Sequence, residues 1–240
     1  MKKTKLLYLT NSFMYECSAR VVGVEGDDIA LDATLFYPGG GGQMADRGVI
    51  SWENQHHSAH VVATHTRDNI IWHTLDDLPP TIGTEVVGTI DWDFRYKMMR
   101  MHTALHILGA IIWKEFRVQA TGSQAYPDRA RLDVALEQLD KEQVDALEAK
   151  VNEAISADYP IRVYTLPGEK AMEIPDLLRT RGMLSSAEQE EIRVVEIVGL
   201  DRQADGGTHV NHTREVGGIH ITRADMRAKV NRRIEFVLTE

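Results

Sequence analysis

The chain of 240 residues is long enough for one large domain or two ordinary ones, and its 43% apolar and 26% charged composition is that of a globular protein with a sizeable core. Its longest apolar stretch, Ile107 to Trp113, falls far short of the roughly 20 residues needed to cross a bilayer. The opening Met-Lys-Lys is followed too soon by Thr10, Asn11 and Ser12 to form a secretory h-region, so a cytoplasmic protein with no membrane partner is expected. A single cysteine, Cys17, excludes an intramolecular disulfide and any zinc site built on two to four thiolates, so a metal here must rely on His and carboxylate ligands. The net charge of −9 argues against bulk affinity for nucleic acid. Basic residues nevertheless gather at Arg95, Lys97 and Arg100, at Arg117, Arg129 and Arg131, and at Arg223, Arg227, Lys229, Arg232 and Arg233; solvated faces explain these as simply as a tRNA surface does.

The first ninety residues read as short β-type runs: Ala19 to Val24, Asp28 to Phe36, Gly48 to Trp52, His60 to His65, Ile70 to Thr74 and Glu85 to Asp91. Turn signals at Gly26-Asp27, Pro38-Gly39, Asp68-Asn69, Pro79-Pro80 and Gly83 punctuate them, as in a small antiparallel barrel or sandwich. After Asp93, a candidate N-cap, Met98, Met101, Leu105, Leu108 and Ile112 recur at steps of three and four, which predicts a helix over 94–116. A second helix is announced by Asp140 with Gln143, a capping-box pattern, followed by Val144, Leu147, Val151 and Ile155, and it ends near Tyr159-Pro160. Arg131 to Leu136, Ile161 to Thr165, Ile192 to Val198, Gly218 to Thr222 and Ile234 to Leu238 read as further strands. The expected class is α+β: a small N-terminal antiparallel β-barrel over 1–93, carrying a Gly-rich loop, and a two-layer α+β domain over 94–240. There is no internal repeat.

Three segments can carry chemistry. His102 and His106 lie four residues apart, hence on one helix face one turn apart, beside the apolar stripe. Such a pair suits a divalent metal, and satisfied core histidines are the plainer alternative; Thr103 follows the first His, so the HExxH pattern is absent. Asp205-Gly206-Gly207-Thr208-His209 places a carboxylate and an imidazole around two glycines, which can turn both side chains to one point or form an ordinary Asp-Gly-Gly turn. The run Gly39 to Gly42 can expose several backbone N–H groups to an anion or a terminal ribose, or be a flexible hairpin loop.

Taken together, these segments resemble the editing domain of alanyl-tRNA synthetase and its free-standing AlaX-type relatives. The resemblance is carried by Phe36-Tyr37-Pro38 through Gln43 with Ala45-Asp46-Arg47-Gly48, and by Arg100 through Leu108. It continues through Gly122-Ser123 with Arg131-Leu132-Asp133, through Gly206 to Val210 with Thr213, Glu215 and Gly217, and through Arg233-Ile234-Glu235. The threonyl-tRNA synthetase editing domain shares the paired-His module, but the Gly-rich segment favours the alanyl branch, and the free-standing form is expected because no aminoacylation core precedes these motifs. The resemblance makes 94–240 a zinc-binding editing domain, with Zn2+ held by His102, His106, His209 and the residue at 205. The family has Cys at that position and this chain has Asp205, a harder donor, so weaker binding or wider tolerance of divalent ions is expected. The alternatives are a three-His site completed by water, or recruitment of His212 or His220.

The activity implied is zinc-dependent hydrolysis, in trans, of seryl-tRNA, with glycyl-tRNA second, mischarged on the alanine acceptor. Such a site positions water and stabilises an oxyanion. Thr34, Gln43 and Thr103 are the expected catalytic polar groups, candidates to favour a serine hydroxyl over alanine. Gly40, Gly41, Gly42, Arg100, Ser123 and Thr208 are the expected substrate contacts, and basic residues on the His helix and near the C-terminus are expected on the acceptor stem. The rival readings are an editing hydrolase for another mischarged tRNA and a non-catalytic tRNA- or metal-binding relative. The retained histidines and glycines speak against a decayed site.

Overall fold

A computed structural model describes residues 3–174, 177, 191–228 and 231–240, without the side chains of 226–228. Met1, Lys2, Lys229 and the Arg227 side chain lie outside the described residues. The chain forms two compact units, one of residues 1–40 with 44–97 and one of residues 41–43 with 98–240. Among the described residues no helix is long and apolar enough to cross a membrane.

The first unit begins with a two-residue strand β1 (Lys5–Leu6), followed by β2 (Glu16–Glu25), β3 (Asp28–Leu31), β4 (Ala33–Thr34), β5 (Gly48–Trp52), β6 (His57–Arg67), β7 (Ile70–Leu75) and β8 (Glu85–Ile90). β2, β3, β7, β6, β5 and β8 close an antiparallel barrel in that order, and β1 pairs with β4 in parallel. This is the expected N-terminal antiparallel barrel, and closure leaves none of the six strands with an open edge. Alternation along the strands turns Val21, Ile29, Leu31, Ile50, Val61, Leu75 and Val86 inward, where they pack with Leu35, Phe36 and Ile90.

The run Asp28 to Phe36, expected as one strand, breaks at Asp32. There the backbone N–H donates to Arg20 O (3.0 Å) while the Asp32 carboxylate accepts the Arg20 N–H (2.7 Å).

The segment after β4 is fastened by a buried ion pair. Asp46 accepts the Tyr37 N–H at 2.6 Å and faces Arg95, whose Nε lies 2.9 Å from Asp46 Oδ1. The Arg95 guanidinium also donates to Leu35 O (2.7 Å) and Ser12 O (2.8 Å). Arg95 is fully buried, so this member of the basic group on the His helix holds the fold and is no contact for an acceptor stem.

Helix α1 (Trp92–Phe116) follows β8, and its N-cap is Asp91 rather than Asp93: the Asp91 carboxylate accepts the Phe94 N–H at 3.1 Å, and Asp93 sits in the first turn. In the second unit α1 buries Met98, Met99, Met101, Ala104, Leu105, Ile107, Leu108 and Ile112. Then come β9 (Ala120–Ala125), β10 (Ala130–Val134), α2 (Lys141–Ser156), β11 (Ile161–Pro167), a short α3 (Gly168–Met172), β12 (Glu191–Ile197), β13 (Asp201–Ala204), β14 (Gly218–Ala228) and β15 (Asn231–Thr239).

β14, β15, β10 and β9 form a four-stranded antiparallel sheet, and β11, β12 and β13 a three-stranded one. The capping box of α2 is present, with Gln143 N donating to Asp140 Oδ1 at 2.8 Å and Asp140 N to Gln143 Oε1 at 3.0 Å. On the first sheet Arg131 faces Glu235, Glu235 faces Arg223, and Asp133 faces Arg233, itself opposite Asp225. Three of the expected basic residues are thus interleaved with carboxylates, which neutralises them as a phosphate-binding surface.

Inside the barrel Thr34 Oγ1 lies 2.8 Å from Nε2 of His73, and burial holds that imidazole neutral, its pKa lowered to about 4. An unfolded histidine takes up a proton below about pH 6.5, so between 6.5 and 4 the unfolded chain binds more protons than the barrel. The contribution is fully present above pH 6.5 and is lost as the pH falls. Urea unfolding at pH 7 and pH 4.5 is expected to show the wild type losing about 2.5 kcal/mol more than His73→Phe; equal losses would contradict a neutral buried His73.

Candidate metal centre

His102 and His106 project from one face of α1, and Asp205 and His209 come from the loop that leaves β13. Each of the four offers one donor atom, and these atoms lie within 4.8 Å of one another. Nε2 of His209, His102 and His106 approach the Asp205 carboxylate to 3.1, 3.7 and 3.9 Å. Zinc–ligand bonds of about 2.0–2.1 Å imply donor-to-donor edges of roughly 3.3–3.4 Å, so the cluster has the scale of a tetrahedral shell.

Two of the rings have a hydrogen-bonding partner behind them at Nδ1, and the third faces a carboxylate there. His102 Nδ1 lies 3.1 Å from Gln43 Oε1, His209 Nδ1 lies 3.1 Å from Thr103 Oγ1, and His106 Nδ1 lies 3.4 Å from Asp201 Oδ2. This leaves every Nε2 aimed at the shared point, the arrangement that outer partners impose on metal-binding histidines. Gln43 is itself fixed, receiving the Thr208 N–H on Oε1 (2.9 Å) and donating from Nε2 to Thr208 Oγ1 (2.8 Å). Gly207 is required here because a Cβ would strike the His102 ring and Gln43 Oε1.

The electrostatics favour the ligating forms. Burial lowers the pKa of His102 well below its ordinary value and that of His209 to about 4. Burial pushes Asp205 upward, but the facing His102, the hydrogen bond from His209 and the charge of His106 outweigh it and hold the carboxyl well below the usual range. Near neutral pH His102 and His209 are therefore neutral imidazoles beside one carboxylate, and with His106 they make a donor set that fits a divalent metal ion.

The other expected residues fall in different places. Gly41 and Ser123 join His102, His106, Leu132 and Asp205 around a pocket of about 70 Å3. Gly42 has φ +86° and sits so tightly on Ser123 that a Cβ would collide with it, and its carbonyl accepts the Ala125 N–H at 2.6 Å. Thr208 is buried beside Gln43, and Thr103 is fully buried against His209, so these residues bear on the rings. Arg100 does not line this pocket; its guanidinium donates to Val216 O at 2.8 and 3.1 Å. Thr34 belongs to the barrel, where it also accepts the Phe36 N–H (3.1 Å), and Gly40 accepts from the Tyr37 hydroxyl (2.9 Å). His212 and His220 lie outside the cluster, facing Asp158 and Glu148 respectively.

Sequence reasoning missed Asp201 and Arg193, whose Nη1 donates to Asp205 O at 2.7 Å. The D-x-Q-x-D spacing of Asp201, Gln203 and Asp205 could have shown the first, since residues two apart on a strand share a face.

The second unit is thus built around a buried His3Asp cluster that can hold a metal. Residues 192–235 match the family described as threonyl and alanyl tRNA synthetase second additional domain, and residues 3–94 match class II (A) tRNA synthetases. The chain is 37% identical over 237 residues to an alanyl-tRNA editing protein AlaX-M of Saccharolobus solfataricus, covering 98% of this chain and 99% of that one. It is 36% identical to the protein of that name from Methanosarcina barkeri, covering 99% of this chain and all of the relative. An alanine–tRNA ligase of Pyrobaculum neutrophilum is 35% identical over 94% of this chain but only 26% of the ligase. The chain belongs to the alanyl-tRNA editing protein family.

If Asp205 is a ligand, Asp205→Ala lowers zinc affinity by more than about 100-fold, beyond the 10–100-fold typical of outer partners. Asp205→Cys, supplying a softer donor, raises it at least about tenfold. Competition with a chromophoric chelator measures both, and unchanged affinity in both variants would remove Asp205 from the shell.

Proposed function

We propose that this protein hydrolyses the ester of mischarged alanine-acceptor tRNA in trans, removing serine and, second, glycine, with Zn2+ held by His102, His106, Asp205 and His209. The observation that carries the reading is the convergence of three Nε2 atoms on one buried carboxylate, with an oxygen facing Nδ1 of each ring. Near end-to-end similarity to relatives named alanyl-tRNA editing proteins, against a quarter of a ligase, supports the in-trans form and a cytoplasmic protein of translation.

When bound, zinc supplies a Lewis acid able to polarise the ester carbonyl or acidify a water. The remaining work falls to the chain. The pocket of about 70 Å3 is of a size for a small acyl group. Gly41, at positive φ, lines that pocket with backbone, and Gly42 beside it lies so close to Ser123 that a Cβ would collide, a backbone surface suited to the approach of a terminal ribose. Gln43, Thr103 and Thr208 act through the rings they hold, as positioning residues. Thr34 is proposed to accept a hydrogen bond from the serine hydroxyl. Gly40, Arg100 and Ser123 are proposed to shape the acceptor end, Arg100 by fixing the Val216 carbonyl. Lys97 and Arg117 are exposed cations available to tRNA phosphates, so binding weakens as salt rises.

The test is deacylation of seryl-tRNA, glycyl-tRNA and alanyl-tRNA on one alanine-specific tRNA, with and without a strong chelator. Loss of serine, abolished by the chelator and restored by zinc, with alanine spared at least about 100-fold, is expected. Thr34→Val should erase the serine preference while leaving glycine release intact. No hydrolysis of any ester in the zinc-loaded protein would point to another tRNA or to binding alone.

A further inference from the structure

β13 ends at the metal centre, and its alternation has a consequence beyond delivering Asp205. Asp201, Gln203 and Asp205 are spaced at i, i+2 and i+4, all three are buried, and Arg202 between the first two is exposed. Register with β12 fixes this face, because Asp201 pairs with Ile197 and Gln203 with Val195. Asp205 faces the Nε2 side of the His cluster, while Asp201 Oδ2 stands 3.4 Å from Nδ1 of His106, at ion-pair distance and without hydrogen-bond geometry, so that its influence on the ring is electrostatic. Gln203 Nε2 donates to that same oxygen at 2.8 Å, so the carboxylate is held in place as well as buried. Two carboxylates four residues apart therefore face opposite nitrogens of one imidazole.

A carboxylate whose side chain is 1% exposed loses its hydration and needs compensating partners. Set against Nδ1, it stabilises the tautomer with the proton on Nδ1 and leaves the Nε2 lone pair free for a metal. Gln43 Oε1 and Thr103 Oγ1 stand against Nδ1 of His102 and His209 as neutral oxygens, so among the three rings His106 alone is backed by a charged one.

We propose that Asp201 is a positioning residue that fixes His106 as its Nδ1–H tautomer and so raises the affinity of the centre for its metal, with Gln203 holding Asp201 in register. This inference rests on the metal reading of the site and on nothing about the substrate.

The test uses the full-length protein in three forms: wild type, Asp201→Asn and Gln203→Ala. The tautomer of His106 is read from long-range nitrogen–proton correlations of metal-free protein, the zinc dissociation constant from chelator competition, and folding from thermal melting without metal. The wild type is expected to show the Nδ1–H form at His106. Asp201→Asn should lose that single form and bind zinc 10–100-fold more weakly. Gln203→Ala, which keeps the carboxylate, should move affinity the same way by a smaller factor and stands in if Asp201→Asn fails to fold. Rings His102 and His209 should keep their tautomers in every form. An Nε2–H form in the wild type, or zinc affinity within about threefold of wild type in a folded Asp201→Asn, would overturn the assignment. Because no deacylation enters these measurements, a failure of the editing activity would leave the result intact, whereas absence of zinc binding in the wild type would overturn both.

Discussion

Three imidazoles and a carboxylate can meet in a buried space only if each ring is prevented from turning the wrong nitrogen inward. Without outer partners, neutral histidines at this distance from Asp205 would present N–H as readily as a lone pair, and His209 Nε2 already lies within hydrogen-bond reach of that carboxylate at 3.1 Å. Gln43, Thr103 and Asp201, each on a different segment, face the Nδ1 side of the three rings and restrict how they can turn. Burial adds to the effect by keeping His102 and His209 neutral, which is also the form a metal requires.

The glycines follow from the same crowding. Gly207 lets the loop after β13 pass the His102 ring and Gln43, and Gly42 lets the Gly-rich run lie on Ser123. Only backbone fits at either point. In the barrel unit a comparable fixation is made by Asp46, which ties Tyr37 to Arg95 while Arg95 also reaches Leu35 and Ser12. Removing either partner would leave a charge with its counterpart gone in a fully buried setting, which typically costs about 3–5 kcal/mol.

What the sequence made legible was periodic or punctuated. The three-and-four rhythm of Met98 to Ile112 placed α1 and put His102 and His106 on one face, and the Gly206-Gly207 turn marked Asp205 and His209 as a pair. What stayed hidden was set by single side chains acting across the chain. Asp32 breaks a run that reads as one strand by bonding to Arg20, and Asp91 caps α1 although Asp93 stands equally near by composition. Gln43 meets Thr208 at a separation of 165 residues, and no local pattern announces that contact. Arg95 reads as a surface cation on a helix and is buried, because its partner Asp46 lies 49 residues away.

The central claim is that one metal ion is held by three histidine nitrogens and the Asp205 carboxylate with no sulfur in the shell. X-ray absorption at the zinc edge of the purified, zinc-loaded protein tests it most directly. The account predicts one zinc per chain, a first shell of nitrogen and oxygen only at about 2.0–2.1 Å, and outer scattering from three imidazoles. A sulfur shell near 2.3 Å, or fewer than three imidazoles at a stoichiometric site, would contradict it.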